Sequence, residues 1–211
     1  IHCGLVGSEM CIRDRFVTTL PLLLDRISAC RTCVDQLPLG PRPVVQLNHD
    51  ARRLIIGQAP GTKVHESGIP FNDPSGDRLQ DWLGLDRPQF YDPGLVALMP
   101  SGFCYPGRSE RGGDLPPRKE CAPQWHPEIL PHLPRIELTL LVGQYAQAYY
   151  LGADRKKTLT ETVAAWRSYL PDYWPTPHPS WRVNQWLKKN DWFESEVLPE
   201  LRRRVADIVD G

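Results

Sequence analysis

No stretch of this chain approaches the roughly 20 consecutive apolar residues that a membrane-crossing helix needs, so no such helix and no membrane partner is expected. Excess charge is lacking too. The 25 lysines and arginines match 25 aspartates and glutamates, which argues against strong unspecific attraction to nucleic acid and leaves room only for a local basic face. There is no internal repeat and no low-complexity tract, which sets aside solenoids and compositionally biased tails.

The first fifteen residues, IHCGLVGSEMCIRDR, lack the long apolar middle of a signal peptide. They resemble translated sequencing-adapter read-through. They are set apart as a non-native leader, 1–15, from a single domain over 16–211. The 211 residues suit one α/β domain able to bury a core without disulfides. Proline is abundant, 22 residues or about twice the usual share, so many connections are expected to be stiff, ordered loops. With the leader excluded, four cysteines remain: Cys30, Cys33, Cys104 and Cys121.

Apolar periodicity predicts a short amphipathic helix over 16–29, then an extended, proline-stiffened approach to a strand at 53–57. The stretch 62–76 reads as irregular, with a helix starting near Gly76 that puts Leu79, Trp82 and Leu83 on one face. GLVALMP reads as a second strand, and a glycine- and proline-rich loop follows from Ser101 to Pro117. APQWHPEILPHL is helical in part. IELTLLVG is the clearest strand, feeding a helix closed by Gly152. Thr158 and Glu161 form a Thr-x-x-Glu box that opens another helix. A short strand at Tyr173–Pro175 leads into TPHPSWR, and helices at 183–190 and 192–208 finish the chain. Alternation of this kind predicts an α/β fold, a three-layer α/β/α sandwich around a four-stranded, mostly parallel sheet.

In such sheets ligands bind beyond the carboxyl ends of the strands. Three loops fall there: the one after Ile56, the one after Met99 and the one holding His178. The first, LIIGQAPG, runs a buried strand into glycines around one polar side chain, Gln58. Glycine lets backbone approach a ligand closely, although a plain strand-to-helix turn has the same composition.

Gly57-Gln58-Ala59-Pro60-Gly61, then Gly68-Ile69-Pro70-Phe71, then His178-Pro179-Ser180 together resemble the uracil-DNA glycosylase superfamily, nearest its iron-sulfur branch. The resemblance covers nearly the whole chain after residue 16. It implies an enzyme that takes a damaged or deaminated base out of the DNA stack and hydrolyses its N-glycosidic bond, in base excision repair. Phe71 would stack on the base. Breaking the bond leaves negative charge on the departing base, and His178 would stabilise it as an oxyanion-hole donor does, an effect worth about 3–4 kcal/mol. Backbone groups of Gly57, Gln58, Ala59 and Gly61 would contact the base or place the attacking water, with Gln58 binding or orienting. Pro179, Ser180 and Arg182 would grip the DNA backbone. Each residue also has a plainer reading: Phe71 as a core aromatic, His178 as a loop histidine, Ser180 as a helix cap, and the Arg202–Arg204 run as a solvated helix face. Their co-occurrence in order favours the site.

Two departures stand out. Well-known members of the superfamily carry a water-activating aspartate where this chain has Ala59; the iron-sulfur branch lacks it as this chain does, and Asp73, near Phe71, is the candidate water-orienting carboxylate. The family also places a base-reading asparagine four residues before the third cysteine, where this chain has Pro100. Ser101 or backbone groups are the candidate substitutes in base binding. Uracil is the family default, with hypoxanthine or xanthine as alternatives.

Cys30 and Cys33 form a C-x-x-C, and sixteen residues separate Cys104 from Cys121. The resemblance implies a four-iron, four-sulfur cluster on these four thiolates. Zinc accepts the same ligands and stays open, as do free thiols. Metal-bound thiolates point to a reducing, cytoplasmic compartment, and a monomer is expected. Two rival functions remain: a noncatalytic nucleic-acid-binding protein that keeps fold and metal site, and an enzyme acting on a free nucleoside.

Overall fold

The structure is a computed structural model that describes residues 18–110 and 112–209. The leader over 1–15 and the first residues of the foreseen first helix lie outside the described residues.

Four strands form one sheet: β1 (Arg53–Ile56), β2 (Val96–Leu98), β3 (Leu138–Val142) and β4 (Tyr173–Thr176), in the spatial order β2-β1-β3-β4. Every pairing is parallel, so the expectation of a mostly parallel sheet sharpens to a fully parallel one. Register sets Ile55 beside Leu98 on one side and Leu140 on the other. The strands are mostly apolar and nearly all of their residues are buried, because both faces are covered. Leu54 and Ile56 face one layer with Ala97, Met99 and Leu141. Ile55 faces the opposite layer with Leu98, Leu140, Val142 and Trp174. Each such fully buried aliphatic side chain contributes about 1.5–3 kcal/mol.

Nine α-helices clothe the sheet among the described residues: α1 (Leu20–Ser28), α2 (Thr62–Ser67), α3 (Pro74–Leu83), α4 (Arg87–Tyr91), α5 (Cys121–Ile129), α6 (Gln144–Leu151), α7 (Leu159–Ala164), α8 (Val183–Leu187) and α9 (Leu198–Val209). Leu23 and Ile27 of α1, Trp125 and Ile129 of α5 and Ala146 of α6 pack on the first face. Leu79, Trp82 and Leu83 of α3 and Leu201, Val205 and Ile208 of α9 pack on the second. Arg53 is 2 % exposed and donates from Nη2 to the Val205 carbonyl at 2.7 Å, tying α9 to the start of β1.

Some local expectations change. The stretch 62–76 is not wholly irregular: α2 occupies its first half, closed by Gly68 at φ 71°. Helix α3 starts at Pro74 rather than Gly76, because the Asp73 carboxylate accepts the N–H groups of Ser75 and Gly76, each at 2.9 Å. Helix α4, opened by an Asp86–Gln89 capping box, was not foreseen. The terminal helix begins with a π-helical stretch, Phe193–Val197, before α9. The Thr158–Glu161 box opens α7 as expected.

After β2 the chain crosses β1 to place β3 on its far side. Neighbouring connections therefore leave β1 and β3 in opposite directions, and a crevice opens at their carboxyl ends.

Candidate functional site

The loop after β1 is laced to the end of β2. The Gly57 carbonyl accepts from the Ser101 N–H at 2.9 Å and from the Ser101 hydroxyl at 2.8 Å, and the Gln58 carbonyl accepts from the Gly102 N–H at 2.9 Å. With its carbonyl pinned, Gly57 presents bare backbone, and the outer edge of the Phe71 ring lies against it. A Cβ on Gly57 would stand 2.9 Å from Phe71 Cζ. Phe71 itself has φ 54°, the one positive φ outside glycine among the described residues. That conformation costs about 1–3 kcal/mol and persists only where the surroundings impose it. They do so here: the Asp73 N–H holds the Phe71 carbonyl at 2.9 Å, and a Cβ on Gly76 would sit 1.7 Å from that oxygen.

His178 follows β4. The Thr176 carbonyl is held by the Gly143 N–H at 2.9 Å and the Gln147 amide at 2.8 Å. Gly143, at φ 84°, comes so close that a Cβ there would lie 3.2 Å from His178 Cβ. From the other side, Arg78 of α3 donates to the Ser180 carbonyl at 3.0 Å. Burial lowers the His178 pKa below its ordinary value, with the charge of Asp73 pulling weakly the other way. The imidazole is therefore neutral at neutral pH and carries one N–H.

These pieces enclose a cavity of about 310 Å³ at the carboxyl ends of the strands. That is in the range of small-molecule sites. Gly57, Gln58, Ala59 and Gly61 line it beside Phe71, Asp73 and His178; Ser180 and Arg182 stand with them. Sequence positions more than a hundred residues apart thus meet in one space. Ser101 does not line it. It is 6 % exposed and spends its hydroxyl on the Gly57 carbonyl, so the structure assigns it to shaping the loop rather than touching a base. Pro179 is likewise buried away from the cavity, and Pro100 lines it in place of Ser101. One oxygen of Asp73 is engaged in capping α3. Gln58 donates across the opening to the Leu115 carbonyl at 3.4 Å. Arg182 donates to the Gly112 carbonyl at 3.1 Å and lies 5.4 Å over the Trp181 ring.

Trp181 and Asp114 are among the cavity-wall residues that escaped the sequence reading. Trp181 is 73 % exposed at the mouth, and only its exposure separates it from the buried tryptophans of the core. Asp114 stands at the same mouth; partial desolvation raises its pKa, Asp73 adds to the rise, and Arg108 and Arg182 oppose it. Its place within the Ser101–Pro117 loop gave no periodic or motif signal.

The four cysteines are free and line one small cavity of their own. The loop after β2 brings Cys104, the start of α5 brings Cys121, and the segment after α1 brings Cys30 and Cys33. Burial pushes the Cys104 thiol up to about 11 and the Cys121 thiol up to about 12, and it raises Cys33 as well. Backbone N–H groups oppose part of this: Phe103 donates to Cys121 Sγ at 3.3 Å, and Arg42 does the same for Cys104. Among the described residues no three His, Cys, Asp or Glu side chains close on a single point as a preformed ion site.

A strand-end glycine loop under an aromatic ring, facing a neutral histidine across a cavity, is the arrangement that the three sequence motifs had pointed to. The family model for the Uracil DNA glycosylase superfamily matches residues 44–202, which span β1 through the first turns of α9, and this chain belongs to that superfamily.

Proposed function

We propose that this chain is a DNA glycosylase that extrudes a deaminated base, uracil foremost, and hydrolyses its N-glycosidic bond. The observation that carries this reading is the Phe71 ring held with its outer edge against Gly57 in the same cavity as the neutral His178. A flipped base slides between them, with Phe71 stacking on its face. As the bond to the anomeric carbon breaks, the electron pair leaves with the base. The His178 N–H donates to the base oxygen that gathers the charge. Water adds to the anomeric carbon and loses a proton, giving an abasic sugar and the free base. Asp73 keeps one carboxylate oxygen available for that water, since the cap on α3 uses the other. Trp181 offers an exposed aromatic face to the strand beside the extruded nucleotide, and Arg182 offers charge to a phosphate.

The cysteines hold a four-iron, four-sulfur cluster, with zinc as the alternative. The fit rests on the donor set: four free thiols line one small cavity, and both a cluster and a zinc ion take four thiolates. Cys30 and Cys33 after α1, Cys104 after β2 and Cys121 on α5 would hold the group, which would supply a structural cross-link among those segments.

Pro100 supports a second reading, a noncatalytic DNA-binding protein, because it puts no side-chain donor where the family reads the base. Cleavage of oligonucleotides carrying one uracil, hypoxanthine or xanthine decides between the two. Excision of at least one base establishes the enzyme; binding without excision of any favours the second reading. A brown protein that bleaches on Cys104→Ser supports the cluster, and a colourless one with bound zinc replaces it.

A further inference from the structure

Asp114 has no part in the chemistry above, yet its backbone is held firmly at the mouth of the pocket. Gly112 and Gly113, at φ 79° and 90°, lead into it. Arg108 and Asp114 face each other in an antiparallel bridge, flanked by the Ser109 N–H on the Gly113 carbonyl at 2.8 Å and the Leu115 N–H on the Gly107 carbonyl at 2.9 Å. Two other parts of the pocket tie the same segment. Gln58 of the loop after β1 donates to the Leu115 carbonyl at 3.4 Å, and Arg182 at the start of α8 donates to the Gly112 carbonyl at 3.1 Å. Peptide groups on both sides of Asp114 are thus fixed. Its carboxylate makes no hydrogen bond with the described residues.

That carboxylate reaches the glycine loop after β1. A Cβ on Gly61 would stand 3.3 Å from Asp114 Oδ2 and 3.9 Å from Asp73 Oδ2, with no other heavy atom beyond its chain neighbours within 4 Å. Asp73 caps α3 with Oδ1, so Oδ2 is the oxygen it has left. Two uncommitted carboxylate oxygens from separate loops therefore converge over one glycine, whose lack of a side chain leaves the space between them open to the cavity. Such a pair is unfavourable at a mouth that takes DNA, because each negative charge repels the phosphates. It suits a reaction that builds positive charge on a sugar and takes a proton from water. The groups facing Asp114 fit that use. Desolvation raises its pKa above the ordinary value and Asp73 adds to the rise, while Arg108 and Arg182 oppose it; the neutral His178 brings no charge. A raised pKa makes the carboxylate a better proton acceptor than a free aspartate.

We infer that Asp114 is a second catalytic carboxylate: it takes the proton of the water that attacks the anomeric carbon, while Asp73 Oδ2 orients that water from the other side. This deepens the glycosylase reading and rests on its assignment of the pocket. The water oxygen bonds to the anomeric carbon as the bond to the base breaks. The electron pair of the broken bond leaves with the base, and the water proton passes to Asp114. Asp114 then returns the proton to solvent, from which the base anion is neutralised.

The test is single-turnover excision, with saturating protein and across pH, from oligonucleotides carrying uracil, hypoxanthine or xanthine. Asp114→Asn keeps the shape of the side chain and removes the proton acceptor. The carboxylate holds nothing together, so this variant should melt as the wild type does. Its rate on the base the wild type prefers should fall by about 10²-fold, the low end of what a general base supplies. Its affinity for duplex DNA should hold or rise, because a negative charge has left the DNA face. The wild-type rate falls at low pH as Asp114 becomes protonated. In Asp114→Asn that acid limb should move to lower pH, since it then reports Asp73 without a like charge beside it. Asp114→Glu should recover part of the rate and the wild-type limb. An Asp114→Asn rate within about twofold of wild type overturns the inference, and so does an unmoved acid limb. A loss of rate that more protein restores makes Asp114 a binding residue and overturns it as well. Asp114→Ser, read in the same way, decides if the asparagine variant does not fold. Wild-type protein that excises none of the three bases defeats the glycosylase reading and this inference together, whereas wild-type excision with an indifferent Asp114→Asn removes the inference alone.

Discussion

Substituting Gly57 by alanine isolates the stacking platform. Gly57 is not in the left-handed region, so the backbone accepts a side chain without strain. The new methyl would lie 2.9 Å from Phe71 Cζ and 3.4 Å from Cε2. Carbon pairs settle at about 3.5–4.0 Å, so the ring must withdraw by roughly 0.6–1.1 Å. It has little room to do so. Phe90 stands edge-on to it at 6.2 Å, and the Phe71 backbone is pinned through its carbonyl and by Gly76. Gly57 cannot yield either, because Ser101 holds its carbonyl twice. A displacement near 1 Å costs about 10²-fold in rate when a reacting group is positioned by the contact. Overpacking of this size costs about 1–3 kcal/mol of stability. Gly57→Ala should therefore lower single-turnover excision of uracil by about 10²-fold and lower the melting temperature modestly. Affinity for undamaged duplex should stay near wild type, since phosphate contacts dominate it. Adding Phe71→Leu should return the lost stability without returning the rate, because leucine relieves the contact but provides no face for the base. Wild-type excision by Gly57→Ala would refute the platform.

His178→Ala should lower single-turnover excision by about 10²–10³-fold, the loss of one donor to the departing base; a rate within twofold of wild type, roughly, would remove His178 from the chemistry. Pro100→Asn should raise uracil excision relative to hypoxanthine by supplying a side chain that reads the base edge, and an unchanged ratio would show that this wall does not read the base. The His126 pKa is depressed from 6.5 to about 4 by burial. The unfolded chain therefore takes up its proton at higher pH than the folded one. The stability from the neutral ring is complete above about 6.5 and is lost as the pH falls to about 4, with a size of about 3 kcal/mol. Chemical denaturation across that window should show this loss in the wild type and a flatter profile in His126→Gln.

Sequence alone determined the sheet and the three motifs that meet at the cavity, but not that Ser101 and Pro179 stay out of it or that Trp181 and Asp114 join it. β1 and β3 are largely apolar runs, broken only by Arg53 and Thr139, that lead to Gly57 and Gly143, and such runs admit few placements other than a covered parallel sheet. The Thr158 box and the face of α3 are equally local signals. Helices α2 and α4 were illegible because six and five residues are too few for a helix to hold by itself. Long-range contacts support α2: Arg42 donates to the Glu66 carbonyl at 2.9 Å, and Val64 is buried. The motifs named Gly57, Phe71 and His178 but not how they meet. The positive φ of Phe71 depends on Gly76 and Asp73, and the withdrawal of Ser101 depends on which side of the loop the Gly57 carbonyl leaves. His126 showed no signal at all, since a histidine inside a helix acquires its role only from the partners that packing brings to it, Pro100 from the end of β2 and Tyr150 from α6. Periodicity and turn chemistry act between near neighbours and are written in the chain; the direction a buried carbonyl or ring faces is settled only when distant elements compete for it.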